Sequence, residues 1–197
     1  FGIIPPSGFA IPAFADIDGD GDLDLFAGEY YGNMKYYVNT GTIAAPHFAA
    51  PVMNPFGITA VVYVGTPAFA DLDHDGDLDL LVGEMYGNTR YFKNNGTPEA
   101  PAFASPVTNP FGIVPVNYYC FPAFADLDND GDMDLMTGEL ESRLQYFENT
   151  EINIGVSDQE LPEELVLFPN PASDEVFLKM SGLNQATSMM YKIFSNT

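Results

Sequence analysis

Cysteine occurs once in this 197-residue chain, at Cys120, so no internal disulfide framework can staple the fold. Basic residues are nearly as scarce: six Lys and Arg stand against 28 Asp and Glu, a formal charge of −22. So few cations cannot neutralise a phosphate backbone, so neither nucleic acid nor an anionic membrane is expected as a partner. No apolar run approaches the length of a membrane span, and direct membrane insertion is not expected either. No segment of residues 1–150 sustains a helical period. What the chain does have is 46% hydrophobic residues, too many for a disordered acidic tail. Its length allows one large domain or two small ones, each with a real core. An extracellular chain without disulfides needs another staple, and bound metal is a candidate.

The segment PAFADIDGDGDLDL at 12–25 returns as PAFADLDHDGDLDL at 67–80 and PAFADLDNDGDMDL at 122–135, an offset of 55 residues both times. The following segments AGEYYGNMKYYVNTGT, VGEMYGNTRYFKNNGT and a shorter TGELESRLQYFENT repeat as well, and PVMNPFGI at 51–58 becomes PVTNPFGI at 106–113. A fixed period of this length signals an array or propeller. Within a unit, Leu78–Val82 is a short apolar run, Tyr86-Gly87-Asn88 and Asn95-Gly96 are turns, and Arg90-Tyr91-Phe92 suits a half-buried strand. The Pro-punctuated stretch 98–110 is expected to supply an outer edge. The predicted fold is therefore all-β, with three or four short strands per unit forming β-propeller blades. The register reaches back to Phe1, which carries the expectation that further blades or other copies of the chain complete the array.

The acidic loop reads D-x-D-x-D-G-D-x-D. Five aspartates in nine residues repel one another and need a neutralising partner. A calcium loop needs converging oxygens and a Gly where the backbone turns sharply; Gly21, Gly76 and Gly131 fill that place. Positions 1, 3, 5 and 9 can supply carboxylates and position 7 a carbonyl. An EF-hand would also need a Glu at position 12 and flanking helices, whereas position 12 is Ala27, Val82 or Thr137. No His or Cys joins the cluster, so calcium suits it better than zinc; magnesium prefers to keep its waters. A solvated acidic hairpin needs neither the spacing nor the Gly. Three Ca²⁺, one per repeat, would bring the charge of −22 to −16.

On these motifs, residues 1–150 resemble tandem FG-GAP/VCBS repeats, the calcium-loop blades of integrin-α-like propellers and many bacterial surface proteins. The resemblance implies Ca²⁺ ligands at Asp16, Asp18, Asp20, Asp22 and Asp24, at Asp71, Asp73, Asp75, Asp77 and Asp79, and at Asp126, Asp128, Asp130, Asp132 and Asp134. Asp22, Asp77 and Asp132 would act through their carbonyls.

After Thr150 the composition shifts. The acidic stretch 151–164 reads as a linker, and LVLFPNPASDEVFLKM at 165–180 contains a plausible strand at Val176–Lys179 and a rigid turn element at Phe168–Ala172. Residues 165–197 are similar to part of the C-terminal sorting domain of type IX secretion substrates in Bacteroidetes, a Pro-Asn-Pro-Ala segment entering an Ig-like β-sandwich. That resemblance implies export through the type IX machinery to the medium or the outer cell surface.

Other repeated residues invite functional readings. Glu29, Glu84 and Glu139 could bind a ligand, but hydrogen bonding between blades is the plainer expectation. The ring pairs at 36–37, 91–92 and 146–147 could stack on a sugar, but core packing is expected. His47 and His74 are expected at the surface without catalytic partners, and Cys120 is assigned no chemistry. The expected function is a non-enzymatic, calcium-binding repeat protein acting in adhesion or in binding a surface glycan or protein. Its rivals are a self-assembling structural subunit and the accessory propeller of a larger glycan-active enzyme.

Overall fold

The computed structural model describes Ile3, residues 8–141 and 143–149, and the backbone of strands 165–169, 175–180 and 190–192. Two compact units are present, Phe1–Glu151 and Ile152–Thr197. The linker expected at 151–164 lies outside the described residues.

The first unit is built from three antiparallel sheets, one per repeat. Blade 1 has the order β1 (Ala10–Ala15), β2 (Asp24–Glu29), β3 (Met34–Tyr37) and β4 (Val52–Met53). Blade 2 repeats it with β5 (Thr66–Ala70), β6 (Asp79–Gly83), β7 (Thr89–Phe92) and β8 (Val107–Thr108), so the Pro-rich stretch does supply the edge strand. Blade 3 comprises β9 (Phe121–Ala125), β10 (Asp134–Gly138) and β11 (Leu144–Phe147). A one-turn 3-10 helix at Pro55–Gly57 is the only helical element among the described residues. The chain is all-β, with propeller-type blades.

The alternation of strand side chains explains why the middle of the second strand in blades 1 and 2 is apolar on both faces. In β6, Leu80 and Val82 join Phe26, Tyr36 and Ile58 in the cluster between blades 1 and 2. Leu81 turns the other way, to Ile113 and Leu135 between blades 2 and 3. All five residues of β6 are consequently buried. Phe26 is fully enclosed at this junction, and truncating it to Ala would cost about 3–5 kcal/mol. Glycine sets how closely the blades approach. A Cβ on Gly28 would lie 1.8 Å from the Gly65 carbonyl oxygen, and one on Gly83 would lie 2.2 Å from that of Cys120.

In the second unit, β12 (Leu165–Pro169), β13 (Glu175–Met180) and β14 (Met190–Lys192) form one antiparallel sheet in that order. The strand expected at Val176–Lys179 lies within β13; of the turn element, Phe168 and Pro169 end β12 and 170–172 lie outside the described residues.

Candidate metal centres

Each acidic loop leaves the first strand of a blade and enters the second, so its first carboxylate follows β1, β5 or β9 and its ninth opens β2, β6 or β10. Three carboxylates converge in every copy: Asp16, Asp18 and Asp20; Asp71, Asp73 and Asp75; and Asp126, Asp128 and Asp130. Within each set the oxygens lie within 4.8 Å of one another. The turn is held by backbone N–H groups donating to these side chains. Gly21 N donates to Asp16 Oδ2 at 3.0 Å, Gly76 N to Asp71 Oδ2 at 3.1 Å and Gly131 N to Asp126 Oδ2 at 3.2 Å. The three glycines have φ of +93°, +91° and +101°, a conformation that disfavours any side chain. Position 4 is left-handed as well, at Gly19, His74 and Asn129, which accounts for that choice of residues. His74 is exposed there and outside the cluster; His47 is exposed too, its Nδ1 3.2 Å from Thr40 Oγ1.

Several loop oxygens are buried without any hydrogen-bond partner: Oδ1 of Asp16, Asp18 and Asp22, of Asp71, Asp73 and Asp77, and of Asp132. A buried acceptor left unpaired is costly, and an ionised one more so. Burial, then the charge of Asp75 or Asp130, pushes the Asp77 and Asp132 carboxyls up to about 6. Burial and Asp20 likewise raise Asp18 and Asp22. A divalent cation would supply the missing partner, and an all-oxygen, anionic donor set fits a hard ion such as calcium.

Position 9 plays a different part from the converging three. Asp24 accepts from Tyr36 Oη at 2.6 Å and from Asn39 N at 2.7 Å; Asp79 accepts from Tyr91 Oη and Asn94 N, both at 2.7 Å. In blade 3, Asp134 accepts from Asn149 N at 2.9 Å and Leu127 N at 3.1 Å, and Tyr146 bonds the same carboxylate. Asp24, Asp79 and Asp134 are 1% exposed, at the foot of the loop. A carboxylate accepts more than two bonds, so oxygen capacity remains for an ion. Burial and the aspartate bond raise the Tyr36 and Tyr91 phenols well above their usual range. This tyrosine clamp was not read from the sequence, although an Asp–Tyr spacing of 12 residues recurs in every copy.

Lys93 was also missed. Its ammonium contacts Asp73 Oδ2 and lies 3.8 Å from Asp75 Oδ2. It holds Asp73 below the usual carboxylate range, whereas the equivalent Asp18 and Asp128 are raised, chiefly by burial.

The family comparison falls on these loops: the FG-GAP-like repeat matches residues 16–82 and again 71–137. The chain belongs to the FG-GAP-like repeat family. Each matched span runs from one acidic loop through the next and ends in the following second strand. No curated protein matches the chain.

The other side chains singled out in the FG-GAP-like repeats are engaged within the fold. Glu84 Oε2 accepts from Val62 N at 3.1 Å and Glu139 Oε2 from Asn117 N at 2.8 Å, so both glutamates bond the segment entering their own blade from the preceding repeat. Tyr36, Tyr37, Tyr91 and Phe92 are buried, but Tyr146 is 45% exposed because no described blade follows it. Burial pushes the Cys120 thiol up to about 12, leaving it unreactive.

Proposed function

We propose that the chain is a calcium-binding scaffold of a secreted or outer-surface protein, with no catalytic role of its own, whose blades serve adhesion or ligand binding. The observation that carries the calcium reading is the threefold cluster of carboxylates with buried, unpartnered oxygens. Positions 1, 3 and 5 would hold the ion through carboxylates, position 7 through its carbonyl, and position 9 from the clamped foot of the loop. Among the described residues no helix is long and apolar enough to cross a membrane. The non-catalytic reading is supported by Glu84 and Glu139, whose carboxylates are engaged in joining repeats. A ligand surface is supported at the end of the blades opposite the loops, where Tyr31, Tyr63, Tyr86 and Tyr118 are 41–65% exposed. Calorimetric titration of the chelated chain is expected to record about three calcium ions and a rise in melting temperature by mass action. No uptake and an unchanged melting temperature would remove the reading.

Export by type IX secretion rests on the Pro-Asn-Pro-Ala segment and its flanking β12 and β13. Deleting 155–197 in the native host should leave the repeats folded but retained; normal amounts in the medium or at the surface would refute the assignment.

A structural subunit is the second reading, favoured by the two end faces. Phe14 and Leu23 are 58% and 53% exposed in blade 1, while their equivalents Phe69 and Leu78 pack against the core. At the other end Leu144 is 73% exposed, while its equivalents Met34 and Thr89 are fully buried. A second copy added head to tail would cover both faces. Light scattering that finds only monomer across a wide concentration range would reject it.

A further inference from the structure

The three loops are near-identical, yet the residue at one repeat position in the strand-3 exit of each blade differs. Val38, Lys93 and Glu148 occupy one repeat position, just before Asn39, Asn94 and Asn149. The backbone N–H of each asparagine bonds the position-9 carboxylate, which pins that repeat position beside the loop in every copy. Val38 packs against the apolar cluster between blades 1 and 2. Glu148 is exposed and carries a negative charge, so it offers the third loop no counter-ion. Lys93 alone brings a cation, and it engages two of the three carboxylates that converge in its loop.

We propose that Lys93 is a tethered competitor for the second metal site: its ammonium neutralises that loop in the absence of calcium and must leave when the ion enters. The inference rests on the calcium reading above and concerns how the sites differ. An ammonium held by two of the converging carboxylates lies close to where a divalent cation would sit, and their mutual repulsion sets ion entry against the Lys93 contacts. The second loop is therefore the weakest of the three and the last to fill. Among the described residues no cation pairs with the first or third loop, whereas the second is neutralised in part from within. Lys93 reaches from a partly exposed position, its side chain 42% accessible, so the handicap is modest rather than prohibitive.

The test is calcium calorimetry on the full chain and on Lys93→Val, with Lys93→Gln as a second variant that keeps most of the aliphatic stem. The expected result is a gain of about fivefold in affinity at the weakest site in both variants, with the other two sites unchanged. A second readout separates competition from packing: the chelated variants should melt below the chelated parent, and this deficit should shrink or reverse at saturating calcium. Three-site uptake by the parent with an identical titration in both variants overturns the inference and leaves the calcium reading standing. A parent that takes up no calcium removes both. Variants that melt lower by the same amount with and without calcium assign Lys93 a packing role and overturn the competition.

Discussion

Tyr91 stands on β7, yet its hydroxyl donates to Asp79 Oδ2 at 2.7 Å, joining the third strand of blade 2 to the last residue of the acidic loop. The same bond joins Tyr36 to Asp24 at 2.6 Å. The loop is thus anchored by a neighbouring strand as well as by its own turn. Tyr91→Phe keeps the ring and removes the donor, leaving a buried carboxylate with one partner fewer. We expect a loss of about 1–2 kcal/mol, read as a drop of a few degrees in melting temperature. Tyr146→Phe, at an exposed ring, should cost less, and equal losses would show that the clamp does not depend on burial.

Position 3 of the loop faces the cluster and position 4 does not. Asp73→Ala is expected to weaken calcium binding at the second site by well over tenfold, because a charged oxygen leaves the shell. His74→Asn, which installs the residue of the third loop and keeps the left-handed backbone accessible, should leave binding within about twofold. Matching losses of affinity in the two variants would mean that the loop faces the ion differently.

The metal-free chain should lose stability as pH rises. Asp77 and Asp132 are pushed up to about 6 in the fold by burial and then by neighbouring carboxylates. Unfolded aspartates titrate near about 4. Protons held by the fold favour it, so this contribution is complete below about pH 4 and lost as pH rises through about 6. Asp73, lowered by Lys93, acts in the opposite sense but only below about pH 4, where the unfolded aspartate takes up its proton, and so does not offset the raised groups over this interval. Chelated protein should therefore melt at a lower temperature at pH 7 than at pH 5, and added calcium should flatten the profile. A melting temperature that rises over that interval without metal contradicts the electrostatic account.

The junction of blades 2 and 3 is less well filled than that of blades 1 and 2. Leu81 stands where blade 1 has Phe26, and a partly open apolar pocket of about 140 Å³ is lined by Leu81, Phe111, Phe124, Leu135 and Phe147. Leu81→Phe restores the ring of the better-packed junction and is expected to add about 0.5–2 kcal/mol. Thermal melting under saturating calcium decides it: a fall in melting temperature would mean the cavity is the wrong shape for a ring.

The sequence determined the repeat, the all-β character and the positions at which carboxylates converge. These follow from local chemistry written three times: apolar alternation, a Gly where φ must be positive, and aspartates at every second residue. Glycine at position 6 and Gly, His or Asn at position 4 specify the loop backbone without reference to anything distant. Tertiary structure decided the rest. Tyr36 and Tyr91 were expected as core rings, but only the pairing of β2 with β3 and of β6 with β7 brought their hydroxyls to Asp24 and Asp79. Lys93 was one of six cations in an acidic chain, and nothing in a linear reading set it against Asp73 rather than solvent. Which aromatic positions are covered depends on whether a neighbouring blade lies against them, as the buried Tyr91 and the exposed Tyr146 show at one repeat position. The local code of a repeat is the same in every copy, whereas burial and charge pairing are properties of neighbours, and neighbours are fixed only when the blades pack.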